Sequence, residues 1–153
     1  MRRLLVILLT LVYVLGAIGQ EIDKSVIYEV KILEKLVKDI TKKKRPYVYF
    51  VGLKRQKVSV ILKLSTLRQA VNIDKADFIF LKNRKRKFYA YKPTLALDFS
   101  SLRHCKYCIG VFSWKNGRPI LILFQENLNK FRIVLPKEYD YFIESRMINV
   151  GKR

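Results

Sequence analysis

The spacing of apolar residues changes from segment to segment along the chain, and each spacing predicts a different element. Residues 4–18 are almost continuously apolar, with Thr10 as the interruption. Residues 25–40 place apolar side chains at alternating steps of four and three, as one face of an α-helix requires: Val26, Val30, Leu33, Val37 and Ile40. Ser25 is the expected N-cap, and Pro46 follows a cationic C-terminal end. We therefore predict a first helix over residues 25–40.

Four later segments predict strands from their β-branched and aromatic content: residues 47–51, 57–62, 76–81 and 94–98. The second segment has its apolar residues on one side, at Val58, Val60 and Leu62. Residues 66–71 instead predict a short helical turn that directs Leu67 and Ala70 inward. Ser100 is the expected cap of another short helix.

The clearest hairpin signal lies between residues 109–114 and residues 119–124. The dipeptide Asn116-Gly117 separates these two apolar runs, and both of its residues tolerate the positive φ of a type I′ turn. Pro119 cannot donate to a strand ladder, so its strand begins there or lies at a sheet edge.

Two helical segments complete the pattern, over residues 126–131 and from Pro136 onward. The buried face of the last helix is predicted to consist of Tyr139, Phe142 and Ile143. Buried strands that alternate with helices are typical of a sheet covered on both faces. We expect an α/β fold: a single small domain over residues 20–153, with a central mixed sheet covered by helices and a C-terminal β-hairpin followed by short helices.

The first nineteen residues have the pattern of a secretory signal peptide. Arg2 and Arg3 precede the apolar run, and small residues lead to a cleavage site expected between Gly19 and Gln20. The run is shorter than the roughly 20 apolar residues of a membrane-spanning helix. We expect residues 1–19 to direct the domain to the periplasm or the exterior, with an uncleaved anchor as the alternative. At this location we do not expect ATP, NAD or chromosomal DNA as partners.

The chain is strongly basic, with 32 Lys and Arg against 12 Asp and Glu and a net charge of +20. Such a charge favours an anionic partner: the anionic membrane surface, an anionic envelope polymer or an acidic protein. A basic surface without a specific ligand is the other interpretation. The sequence does not fix the oligomeric state.

The densest run of charge lies in residues 82–92, where the cations are Lys82, Arg84, Lys85, Arg86, Lys87 and Lys92. Phe88, Tyr89 and Tyr91 stand beside them, a composition that resembles a platform for single-stranded nucleic acid. Because we expect export, we expect no nucleic-acid partner. The run is interpreted as a solvated loop that can also contact anionic lipid headgroups.

The residues favour a protein that is not an enzyme. His104 is the single histidine, and there is no Gly-rich phosphate loop and no G-x-S-x-G motif. We expect no catalytic site, no cofactor and no metal.

Cys105 and Cys108 form a C-x-x-C motif. A thioredoxin-type pair needs its first cysteine at a helix N-terminus, whereas these cysteines follow a short helix. Haem attachment needs a histidine after the second cysteine, and a metal site needs a fourth ligand. The remaining interpretations are a structural disulfide, a redox-active pair and free thiols.

Trp114 stands beside the predicted hairpin turn. An exposed tryptophan on a tight turn is a candidate contact with a partner. The alternative is a core or edge residue packed on a neighbouring helix.

From residue 76 the chain runs through a strand (ADFIFL), a second strand (TLALD), a short helix, the hairpin (IGVFSWKNGRPILILF), a short helix (ENLNKF) and a final helix (PKEYDYFIES). With the helix before the first strand, this order over roughly residues 30–145 resembles the YfiR family of small exported bacterial proteins. Two features differ: residues 51–57 are too short for a crossover helix after the first strand, and a His-Cys-x-x-Cys segment replaces the polar, glycine-rich approach to the hairpin.

The resemblance implies a non-enzymatic periplasmic regulator. Such proteins bind the outer domain of an inner-membrane diguanylate cyclase and hold it inactive, and cysteine redox state takes part in their control. An inner-membrane signalling protein is therefore the expected partner. The alternatives are a basic binder of anionic envelope polymer or lipid, and a thiol-disulfide redox protein that uses Cys105 and Cys108.

Overall fold

The computed structural model describes residues 23–145, in which helices and strands alternate. In chain order the elements are α1 (Lys24–Thr41), β1 (Tyr47–Val51), α2 (Arg55–Leu64), β2 (Arg68–Gln69), a 3₁₀ turn (Ile73–Lys75), β3 (Phe78–Leu81), β4 (Phe88–Tyr89), β5 (Thr94–Ala96), α3 (Phe99–Arg103), β6 (Cys105–Lys106), β7 (Gly110–Lys115), β8 (Arg118–Phe124), α4 (Gln125–Lys130), a 3₁₀ helix (Lys137–Phe142) and β9 (Ile143–Glu144). The predicted signal peptide, residues 1–19, lies outside the described residues.

Seven of these strands form one mixed sheet in the order β2-β1-β3-β5-β7-β8-β9. Neighbours from β2 to β7 are parallel, β7 and β8 are antiparallel, and β9 runs parallel to β8. The chain moves outward from β1 to β2 and then returns to place β3 on the other side of β1. The predicted α/β class with a central mixed sheet is confirmed.

The reversal at β1 explains why both faces of the sheet are covered. Parallel crossovers are right-handed, so connections that progress in opposite directions lie on opposite faces. On the first face, α1 and α2 pack against Phe78 and Phe80 of β3. On the second face, α3 and the β4–β6 pair pack around Leu81 and Ala96.

Residues 57–62 were predicted as a strand, and this prediction is wrong because they belong to α2. Ile61 is fully buried, and Leu62 and Leu64 pack against the same core as α1. A parallel pair such as β1 and β2 needs a crossover connection, usually a helix. Helix α2 is that connection, so the crossover that the sequence seemed too short to contain begins at Arg55.

The predicted helical turn over residues 66–71 is also wrong, because these residues contain β2. The Arg68 amide donates to the Pro46 carbonyl at 3.0 Å, and the Ala70 amide donates to the Val48 carbonyl at 2.8 Å. Leu67 and Ala70 are buried, as predicted. The segment therefore pairs with β1 as an edge strand, which satisfies backbone groups that a lone turn would leave to solvent.

The first helix and the hairpin follow the sequence closely. The N-cap of α1 is Asp23 rather than Ser25, because the Asp23 carboxylate accepts a hydrogen bond from the Ser25 amide at 3.0 Å. In the hairpin, Asn116 and Gly117 have φ values of 52° and 73°, as a two-residue type I′ turn requires. Pro119 lies opposite Trp114 in the ladder between β7 and β8.

The remaining helical predictions differ from the structure in the cap of α3 and in the last helix. Asp98, not Ser100, caps α3 by accepting from the Ser101 amide. Pro136 precedes a 3₁₀ helix in which Tyr139 is buried, but Phe142 is 41% exposed and Ile143 begins β9. Tyr139 and Ile143 of the predicted buried face therefore pack against the core, and Phe142 does not belong to it. Among residues 23–145, no helix is both long and apolar enough to cross a membrane.

Candidate binding surfaces

The C-x-x-C segment forms a disulfide in the second core, which is the cluster packed around Leu81 and Ala96 on the second face of the sheet. The Cys105 and Cys108 sulfur atoms are 2.02 Å apart, and both residues are almost completely buried. They follow the C-terminal end of α3, where His104 is the C-cap. The cysteines therefore lack the helix N-terminus of a thioredoxin-type pair, and they lie among Leu102, Phe124 and other buried residues of this core.

The disulfide fixes β6, and β6 in turn holds β4. The Phe88 amide donates to the His104 carbonyl at 2.7 Å, and the Ala90 amide donates to the Lys106 carbonyl at 2.9 Å. Phe88 also packs into the core that surrounds the sulfur atoms. The end of the basic loop is therefore fastened to a covalently closed turn.

The first five basic residues of this loop, from Lys82 to Lys87, take different positions. Lys82 follows β3, where its amide donates to the Val51 carbonyl at 2.9 Å. The Arg84 amide donates to Ser101 Oγ at 2.9 Å, and its guanidinium lies 5.8 Å from the centre of the Phe88 ring. Lys85, Arg86 and Lys87 are exposed. The loop is thus anchored at Lys82 and Arg84 and presents its three middle cations to solvent.

A set of cations stacked on tyrosines continues this surface beyond the loop. The Lys106 ammonium lies 5.7 Å from the centre of the Tyr89 ring and 5.0 Å from that of Tyr107. The Lys130 ammonium lies 3.8 Å from the centre of the same Tyr107 ring. We name the whole surface the basic–aromatic face, with these members: Arg84, Lys85, Arg86, Lys87, Phe88, Tyr89, Lys106, Tyr107 and Lys130.

Acidic residues are scarce in the part of the chain that builds this face. Between residues 78 and 125 the sequence contains ten Lys and Arg and one acidic residue, Asp98. Both Asp98 oxygens already accept hydrogen bonds, from the Asn83 amide and from the amide and hydroxyl of Ser101. The face therefore carries a concentrated positive charge, with Glu126 beside Lys106 and Lys130 as its neighbouring carboxylate.

On the opposite side of the sheet, a groove of about 420 Å³ opens between α1, the hairpin and the 3₁₀ helix. We name it the apolar groove; its lining residues are Tyr28, Ile32, Lys35, Phe112, Pro119, Leu121, Glu138, Tyr139 and Phe142. Tyr28 is 56% exposed and Phe142 is 41% exposed, so large apolar side chains stand open to solvent at its rim.

A charged network supports one wall of the apolar groove. The Tyr139 hydroxyl donates to Asp39 Oδ2 at 2.6 Å, and the Lys35 ammonium bridges Asp39 at 2.9 Å and Glu138 at 2.6 Å. Burial alone would raise the pKa of Asp39, but the bonds from Tyr139 and Lys35 outweigh it and lower that pKa. Burial and the bond to Asp39 raise the pKa of Tyr139. The groove therefore has a fixed polar edge that holds one ammonium group and two carboxylates.

Trp114 lies on the hairpin next to this region and is 36% exposed. Its indole Nε1 donates to Glu29 Oε2 at 3.4 Å. The same oxygen accepts a hydrogen bond from the Lys57 ammonium at 2.8 Å. Its ring stands edge-to-face on Phe112, which lines the apolar groove. Trp114 therefore packs on Phe112 with part of its ring and remains partly accessible to solvent.

Sequence reasoning missed the apolar groove and the stacked cations. The groove residues come from three distant segments, and Tyr139 and Phe142 were predicted only as part of the buried face of the last helix. The tyrosine–lysine stack depends on the pairing of β4 with β6, which no local pattern predicts. Among residues 23–145, no group of three or more His, Cys, Asp and Glu side chains is arranged to hold a metal ion.

No family model matches the sequence, and no curated protein is significantly similar to it. Among solved structures, the chain is similar to a conserved domain protein from Vibrio cholerae O1 biovar El Tor, with 12% identity and a TM-score of 0.49. The likeness covers 74% of this chain and 58% of that one, so the chain spans little more than half the length of its structural neighbour.

Proposed function

We propose that this chain is an exported, non-enzymatic regulatory protein that binds the outer domain of an inner-membrane signalling protein, such as a diguanylate cyclase. The observation that carries the proposal is the apolar groove with exposed aromatic residues at its rim. Exposed aromatic side chains around a concave apolar site are typical anchors of protein–protein interfaces. The pattern-level resemblance to the YfiR family supplies the class of partner.

The groove is better suited to a protein side chain than to a reacting substrate. Its titratable groups, Lys35, Asp39 and Glu138, are engaged in one network with Tyr139. A catalytic acid or base needs a proton that it can exchange with a substrate. A partner segment with an apolar side chain would instead bury Tyr28 and Phe142 and leave the ion pairs at the rim.

The thiol-disulfide alternative has less support. Attack on a disulfide requires access to a sulfur atom, and both sulfur atoms lie within the second core. An insulin-reduction assay tests this alternative, and we expect the wild-type protein and a Cys105→Ser/Cys108→Ser variant to give the same background rate.

Site-specific photo-cross-linking tests the proposal. A benzoylphenylalanine at position 142 would lie at the groove rim, while the same residue at position 141 replaces a tyrosine that is 98% exposed and outside the groove lining. We expect position 142, and not position 141, to cross-link an inner-membrane signalling protein in native membranes. Equal products from both positions, or products without such a protein, would contradict the proposal.

A further inference from the structure

We propose that the basic–aromatic face docks on the anionic surface of a phospholipid bilayer. The face lies on the second side of the sheet, opposite the apolar groove, so this site is distinct from the protein-binding site proposed above. The charge, the stacked tyrosines and the rigid support of the face favour this ligand.

The charge of the face suits a surface of many anions. Lys85, Arg86 and Lys87 are exposed and adjacent, and Lys106 and Lys130 lie over the same Tyr107 ring. Glu126 lies beside both ammonium groups and offsets part of their charge, whereas the three loop cations are exposed to solvent. Clustered lysines and arginines bind anionic headgroups, and each cation strengthens the attraction.

The tyrosines favour a bilayer over a nucleic acid. A base of a single strand stacks on an open ring face, and cations already cover one face of the Phe88, Tyr89 and Tyr107 rings. At a lipid interface, by contrast, tyrosine places its ring at headgroup level with its hydroxyl in contact with water. Tyr89 is 58% exposed and adjoins Lys106, so both can contact the same headgroup region.

The support of the face is rigid enough to present these groups together. The disulfide of Cys105 and Cys108 closes the turn that carries Lys106 and Tyr107. The positive φ of 70° at Tyr107 turns the chain between the two cysteines. Because β4 is hydrogen-bonded to β6, the loop cations and the stacked tyrosines belong to one layer.

Sedimentation with vesicles tests the proposal, using the mature domain at about 0.1 M salt, where exposed charges more than roughly 10 Å apart are largely screened. The probe is phosphatidylcholine vesicles with and without about one-third phosphatidylglycerol. We expect binding to the anionic vesicles only. The variant Lys85→Gln/Arg86→Gln/Lys87→Gln should lower the partition coefficient about a hundredfold, since each cation contributes about fivefold.

A matched variant tests whether binding depends on the cations of the basic–aromatic face or only on the total charge of the protein. Lys31→Gln/Lys44→Gln/Lys63→Gln removes three exposed lysines elsewhere on the chain, and we expect it to bind almost as well as wild type. An equal loss in both variants would overturn the proposal. Tighter binding to a single-stranded oligonucleotide than to the anionic vesicles would also overturn it, in favour of nucleic acid. A Phe142→Ser variant should bind vesicles as wild type does. The vesicle experiment therefore tests the basic–aromatic face independently of protein binding at the apolar groove.

Discussion

At the scale of single residues, Tyr139 links the core to the wall of the apolar groove. Its ring belongs to the core between α1 and the sheet, and its hydroxyl donates to Asp39. We predict that Tyr139→Phe lowers the free energy of unfolding at pH 7 by about 1–2 kcal/mol, because a hydrogen bond to a charged acceptor is lost. Urea unfolding measures this difference, and an unchanged midpoint would contradict it.

The same variant has a predictable pH dependence. In wild type the pKa of Asp39 lies below its ordinary 3.8, so its stabilising contribution is present above that pH and disappears as the pH falls further. The pKa of Tyr139 lies above its ordinary 10.0, so stability falls as the pH rises past that value and the unfolded chain ionises first. The difference between wild type and Tyr139→Phe should therefore be largest between these limits and shrink outside them.

At the scale of elements, the disulfide closes a short segment, with a sequence separation of three between its cysteines. Loop-closure entropy for so short a segment corresponds to about 2 kcal/mol. We predict this loss of unfolding free energy for Cys105→Ala/Cys108→Ala, with the fold retained because β6 stays bonded to β4. Denaturation with and without reductant measures it: reductant should weaken wild type and leave the variant unchanged.

Helix α2 is the element that sequence reasoning misassigned, and Ser59 on its exposed side provides a direct test. Alanine is favoured over valine in a helix, and valine is favoured in a strand. We predict that Ser59→Ala is more stable than Ser59→Val by about 0.5 kcal/mol. The reverse order of thermal midpoints would indicate a strand.

The other elements differ in how far the sequence determined them. The hairpin was predictable because Asn116-Gly117 meets a local φ requirement, and α1 was predictable because its apolar stripe continues over four turns. The segment of α2 is short, and its apolar residues fit two periods: Val58, Val60 and Leu62 alternate, while Ile61 and Leu62 serve a helical face. The parallel pairing of β1 with β2 decided between them, and that pairing is not local.

At the scale of the whole molecule, the two sides of the sheet have different surface chemistry. The side with α1 carries ion pairs and the apolar groove, whereas the side with β4 and β6 carries the basic–aromatic face. The sequence showed the charge of the loop directly. The contact role of Trp114 stays a prediction, and the groove required three distant segments to meet. A protein docked on a bilayer through the basic side would leave the groove open to a partner.

The measurement that tests the central claim most directly is the cyclic di-GMP level in cells of the organism that carries this gene. We predict that deletion raises the level and that the wild-type chain or the control Tyr141→Ser restores it. Phe142→Ser, exported in equal amount, should fail to restore it because the groove rim is lost. An unchanged level after deletion, or full restoration by Phe142→Ser, would contradict regulation through the groove.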